Sequence, residues 1–165
     1  MKKYELTAEF IEKWGKKLFR IKALIGFGSV EAGELGGYVE KEDNLAQNGN
    51  AWVFDDAEVY GNARVCGNAR VYGNARVYDD ADYLLIGRIG SRFSFTTFFK
   101  NKDKGITVSC GCFLGTIAEF RAKVTDTHGN NKHAKMYNLA ADMAELQILG
   151  EEHFDKLNTN KSEPF

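Results

Sequence analysis

The chain has 165 residues, a formal net charge of −1 and 44% hydrophobic residues, which suits one compact domain or two very small ones. Near-neutral charge removes global steering toward nucleic acid or anionic membrane and leaves only a local patch as a source of either. No apolar run is long enough to span a bilayer, Met1 to Glu5 lacks a signal-peptide core, and Cys66, Cys110 and Cys112 fit reduced thiols, so the reading is cytoplasmic.

In chain order, Tyr4 to Leu6 and Leu18 to Leu24 read as strands, the latter alternating apolar and basic residues over part of its length. Gly15 reads as a turn between Phe10 to Glu12 and that second strand, giving a hairpin. A short amphipathic helix over Thr7 to Trp14 competes, since Phe10, Ile11 and Trp14 also fit a helical face. Either form is expected to cap the next stretch of the chain, because a bare β edge recruits further chains.

From Gly26 to Asn50, Gly33, Gly36, Gly37 and Gly49 mark corners of a degenerate lead-in. Val39 and Leu45 are six apart but Val53 comes eight later, so a small insertion is expected between Asp43 and Gly49. A regular six-residue period then governs the chain, and an internal repeat outranks propensity as a guide to architecture. Valine recurs at Val53, Val59, Val65, Val71 and Val77, and alanine at Ala51, Ala57, Ala63, Ala69, Ala75 and Ala81. In each hexad Arg-Val-Tyr is extended, with valine on one side and its neighbours on the other. Gly-Asn turns the chain, since both tolerate left-handed backbone. After Ile86 the period is lost. Ser94 to Phe99 and Ile106 to Cys110 are β-rich runs around a polar loop. Thr116-Ile117-Ala118-Glu119 is a capping box that predicts a helix, stopped by Gly129. A second helix is expected from about Lys132 to Leu149, with Met136, Leu139, Ala140, Met143 and Leu146 as its apolar face.

An aliphatic residue followed four positions later by a small one, as in Val59/Ala63 or Val71/Ala75, resembles the hexapeptide repeat of left-handed parallel β-helix proteins. The resemblance implies about three triangular coils. The fold class it implies is mainly β: a left-handed β-helix over 26–85, an N-terminal capping hairpin over 1–25, a ββαα unit over 86–150 and a flexible tail over 151–165. The strings Leu35-Gly36-Gly37-Tyr38-Val39, Gly49-Asn50-Ala51-Trp52-Val53, Thr96-Thr97-Phe98-Phe99 and Cys110-Gly111-Cys112-Phe113 look like a family of small bacteriophage and prophage proteins of uncharacterised function. That resemblance implies a phage accessory protein acting inside the host cell.

Many hexapeptide-repeat proteins are trimeric acyltransferases with a histidine general base at the subunit boundary. Here His128, His133 and His153 all lie far beyond the repeat, which argues against catalysis, and no catalytic residue is assigned. No cofactor is expected. Cys110 and Cys112, on one face of a strand, with His128 and His133 would suit tetrahedral zinc, but ordinary core thiols are the preferred reading. Arg88, Arg92, Thr96, Thr97, Lys100 and His128 form the candidate ligand set, because arginine forks and hydroxyls suit a phosphate. Tyr60, Arg64, Arg70, Tyr72, Arg76 and Tyr78 project outward from the repeat and form a candidate homotrimer interface. The functional expectation is a non-enzymatic, oligomeric binding protein that inhibits host antiviral defence by binding a host protein or sequestering a nucleotide signal. The alternatives are an acyltransferase-like enzyme or a purely structural assembly protein; nucleic acid is the less favoured partner.

Overall fold

The computed structural model describes residues 1–159 of the chain. Strands β1 (Tyr4–Lys13) and β2 (Lys16–Ala23) form the N-terminal hairpin, so strand alternation prevails over the competing helix. Its turn is Trp14-Gly15, with φ of 51° and 74°, the paired left-handed conformation that matches the twist of a two-residue hairpin loop. Tyr4, Leu18, Ile21 and Ala23 are buried. Strand β3 (Leu35–Val39) adds antiparallel to β2.

The hexads then supply four strands of two residues each: β4 (Trp52–Val53), β5 (Glu58–Val59), β6 (Arg70–Val71) and β7 (Arg76–Val77). β4 pairs in parallel with β6 and β5 with β7, each residue opposite the one eighteen further on, as in Val53↔Val71 and Val59↔Val77. In the lead-in the offset is twenty, as in Val39↔Val59 and Leu45↔Val65. Two extra residues therefore fall between Leu45 and Trp52, overlapping the expected insertion. The repeat valines from Val53 to Val77 and alanines from Ala51 to Ala75 are buried in one apolar cluster with Trp52, Tyr4, Ile21 and Phe99.

The expected mainly β, left-handed β-helical fold class is corrected here. The chain is mixed α/β, with three sheets and three α-helices among the described residues. The repeat is divided between a five-stranded mixed sheet, ordered β1-β2-β3-β5-β7, and the two-stranded sheet β4-β6. No regular solenoid is formed among the described residues. Corners one residue past each strand, Gly61-Asn62 and Gly73-Asn74 after β5 and β6 and paired aspartates after β4 and β7, hold every strand to two residues, so the repeat builds short rungs, while longer elements on both sides dominate the architecture.

The C-terminal unit has four strands where the sequence suggests two. β8 (Tyr83–Ile89), β9 (Ser94–Lys100), β10 (Ile106–Cys110) and β11 (Phe113–Thr116) form an antiparallel sheet ordered β11-β10-β9-β8. Helix α1 (Ile117–His128) begins at the Thr116–Glu119 capping box and ends at Gly129, and α2 (Lys132–Leu149) comes next, both as expected. The apolar face of α2 is different. Ala134, Tyr137, Ala140, Ala141, Ala144 and Ile148 pack inward, whereas Leu139, Met143 and Leu146 are exposed. The small alanines allow a close approach to the sheet, which the bulkier stripe would prevent. Helix α3 (Glu151–Thr159) occupies the start of the expected flexible tail, and residues 160–165 lie outside the described residues.

Strand β9 joins the two halves. Phe99 enters the apolar cluster of the repeat, while Phe98 enters a second cluster with Ile106, Val108, Phe120, Val124 and Tyr137. Successive strand residues face opposite ways, so one strand serves two cores. No helix among the described residues is long and apolar enough to cross a membrane.

Candidate functional site

The junction between the repeat and β9–β10 forms an open-mouthed cavity of about 240 Å³. Arg70 of β6 reaches into it and its backbone N–H donates to Thr97 Oγ1 at 3.1 Å. The Arg70 guanidinium donates to Ser29 Oγ at 2.6 Å, and lies 5.2 Å from the Phe54 ring centroid and 5.6 Å from that of Tyr72. Phe54 and Tyr72 are themselves stacked, with centroids 4.2 Å apart and planes 7° from parallel. They hold the same hexad position eighteen residues apart, and the parallel pairing of β4 with β6 sets one above the other. Burial raises the Tyr72 phenol above its ordinary pKa, with Arg70 opposing.

The same offset brings Asn50 beneath Asn68, joined by an Nδ2–Oδ1 hydrogen bond of 3.2 Å. Each asparagine comes after a glycine in left-handed conformation, Gly49 and Gly67, that turns the chain at the cavity rim. On the opposite wall Thr97 of β9 and Ser109 of β10 are register partners, and Ser94 and Phe95 complete that side. Among the described residues the lining therefore carries one cation, several hydroxyls and amides, and no carboxylate. Arg70 has no ion-pair partner among the described residues. A half-buried guanidinium with that surrounding is suited to an anionic group on a ligand with a flat face.

The expected ligand set is not brought together. Of its six residues only Thr97 lines this cavity. Thr96 points to the other side of β9, where its hydroxyl donates to Cys110 Sγ at 3.2 Å. Lys100 pairs with Asp82 at 3.2 Å in a separate groove. Arg88 and Arg92 are exposed on β8 and the turn after it. His128 lies in the last turn of α1, its ring 5.8 Å from that of Tyr137 and stacked on it. Strand alternation explains the split between Thr96 and Thr97, which adjacent numbering conceals.

The zinc set also comes apart. Strand β10 ends at Cys110, and Gly111, with φ of 59°, turns the chain so that Cys112 is exposed rather than on the same face. Among the described residues no three His, Cys, Asp or Glu side chains gather as metal ligands. Cys110 and His128 instead border a hollow of about 100 Å³ with Tyr137, whose phenol is pushed up to about 12 by burial and then by Cys110.

The outward repeat residues are divided between two places. Arg70 and Tyr72 belong to the cavity region, whereas Tyr60, Arg76 and Tyr78 border the groove that holds Lys100. Arg64 is exposed, its carbonyl accepting from Tyr83 Oη at 2.8 Å. Sequence reasoning passes over Ser29, Asn50, Phe54, Asn68, Ser94 and Ser109. The eighteen-residue spacing of Asn50/Asn68 and Phe54/Tyr72 is a readable signal for four of the cavity's surrounding residues, while no local signal marks the serines. Comparison with protein-family models finds none that matches the chain, and comparison with curated proteins finds no significant relative.

Proposed function

We propose that the chain is a non-enzymatic binding protein that takes a small phosphorylated ligand of nucleotide type in the Arg70 cavity. The observation that carries this reading is the guanidinium of Arg70, without a carboxylate partner among the described residues and facing a wall of hydroxyls and amides. Phosphate oxygens accept from an arginine fork and from serine, threonine and asparagine donors. The rings of Phe54 and Phe95 supply flat apolar surface of the kind a base or ribose needs. A volume of about 240 Å³ lies just below the usual range for ligand pockets, which limits the buried part to a mononucleotide or one half of a dinucleotide. Removal of a nucleotide signal from a host's antiviral defence is the role that the phage-type resemblance implies for such a protein, and it forms part of the proposal.

Calorimetric titration with mononucleotides and cyclic dinucleotides tests the reading. Heat from at least one of them, lost by about tenfold or more in affinity in Arg70→Ala, is the expected result. Arg70→Lys keeps the charge but not the fork, so it recovers only part of the affinity. Absence of heat from every phosphorylated ligand, or binding indifferent to Arg70→Ala, refutes it.

A further inference from the structure

A second recess, sharing no lining residue with the Arg70 cavity, is formed where the N-terminal hairpin turn meets the loop between β9 and β10. Its volume is about 390 Å³, and its rings are Trp14, Tyr60 and Tyr78. Trp14 stacks on Tyr60 with centroids 5.2 Å apart and planes at 27°, and Tyr60 lies 5.3 Å from Tyr78. The outer two rings are open to solvent: Trp14 is 60% exposed and Tyr78 49%. Around them stand Arg76, Lys100, Lys102 and Lys104 against Asp79 and Asp82. Lys100 is neutralised by Asp82, and Arg76 is only 3.7 Å from Glu58, which Lys13 also pairs. Lys102 and Lys104 have no ion-pair partner among the described residues.

The backbone adds an independent pointer. Trp14 and Lys104 both sit at positive φ, 51° and 61°, where bulky residues are uncommon and asparagine or glycine is favoured. A hairpin turn made for its own stability would carry Asn-Gly at 14 and 15. Here a strained position presents a large exposed ring beside cations, and strain retained at a surface site points to use. Exposed rings flanked by unpaired lysines are the elements from which single strands are bound: bases stack, and ammonium groups track the phosphates. The adjoining hollow shares Arg76 and Lys102 but is walled by Asp55, Asp56 and Glu58, which repel phosphate and close the site at that end.

We propose that the groove of Trp14, Tyr60 and Tyr78 binds a short segment of single-stranded nucleic acid, with bases on the exposed rings and phosphates at Lys102 and Lys104. The near-neutral net charge does not oppose this, because the charge is local.

Fluorescence anisotropy of labelled oligothymidylate and oligouridylate of about ten nucleotides, at low salt, tests the proposal. Saturable binding is expected, with quenching of the exposed Trp14 while the fully buried Trp52 stays unaffected. Whichever oligomer binds more tightly identifies the strand type. Trp14→Asn removes the ring while installing the preferred turn residue, so it folds and is expected to bind about tenfold more weakly. The Lys102→Glu/Lys104→Glu double variant is expected to weaken binding and flatten its salt dependence. No binding of either oligomer at about 100 μM, equal binding of a duplex, or wild-type affinity in a folded Trp14→Asn protein each overturns it. None of these variants touches the Arg70 cavity, so this outcome is separate from that of the nucleotide titration.

Discussion

Lys3 places an ammonium group in the interior beside the start of the repeat. Its side chain is buried with only 2% of the residue exposed, and it makes no ion pair among the described residues. The ammonium donates to the Ala51 carbonyl at 2.8 Å, approaches those of Asn48 and Gly49 at 3.5 Å, and lies 4.7 Å from the Phe27 ring centroid. Carbonyl dipoles and a ring face replace water only in part, so burial lowers its pKa from 10.5 to about 8. Between those values the unfolded chain holds a proton that the folded chain has released. Stability therefore rises with pH from about 8 to 10.5, and the gap corresponds to about 3 kcal/mol. Burial acts oppositely on Tyr4 and Tyr83, whose phenols are raised and withdraw stability above their ordinary range. Subtracting the Lys3→Met variant cancels those contributions. Urea unfolding at a series of pH values is expected to show wild type gaining about 2 to 3 kcal/mol on Lys3→Met between about pH 7.5 and 10. A difference flat to about 0.5 kcal/mol, or one that falls with pH, refutes a desolvated, unpaired ammonium.

Two further substitutions test the packing of the repeat. At Gly37 a Cβ would lie 2.5 Å from the Ala57 carbonyl oxygen and 2.7 Å from Val53 Cγ1, so Gly37→Ala is expected to cost about 2 to 3 kcal/mol or more; a thermal melt within about 2 °C of wild type contradicts that contact. Asn44 is fully buried, donating to the Gly61 and Ala63 carbonyls and accepting from the Lys41 N–H. Asn44→Ala strands those groups and is expected to lose about 3 kcal/mol in chemical denaturation; a loss under about 1 kcal/mol means that they find other partners.

Local signals were legible because their causes are local. Gly15 turns a hairpin, and Thr116 with Glu119 starts a helix through hydrogen bonds within one turn. The period of six also reports which residues of the repeat go inside as far as Val77, since the valines and the alanines from Ala51 to Ala75 are buried, but its last alanine, Ala81, is exposed in the short 3-10 turn that ends the repeat. It does not report how much of the chain shares one architecture, and there the expectation of a mainly β helix failed. Gly87 and Gly115 interrupt the apolar pattern of β8 and β11, which hid half of the antiparallel sheet. On α2 both a bulky stripe and an alanine-rich stripe satisfy helical spacing. Spacing alone cannot choose between them, whereas close packing against the sheet selects the alanines. The ligand set failed for a further reason: it gathered residues by nearness in sequence, and β9 sends Thr96 and Thr97 to opposite sides.

Both candidate sites arise from one property of the repeat. Residues eighteen apart stand over one another, so Phe54 meets Tyr72 and, one hexad later, Tyr60 meets Tyr78. Neighbouring hexads face different directions, and the two aromatic pairs therefore open onto different surroundings. The first meets β9 and β10, whose Thr97 and Ser109 supply hydroxyls around an arginine already held by Ser29. The second meets the hairpin turn and the β9–β10 loop, which supply a tryptophan and lysines. The repeat thus fixes where flat rings are displayed, and the non-repetitive elements decide the chemistry offered beside them. A ligand at either site should accordingly depend on two segments at once, an outward hexad side chain and a partner from outside the repeat. Arg70 with Ser29 in the cavity, and Tyr78 with Lys102 in the groove, are the pairs in which double-mutant cycles should find energetic coupling.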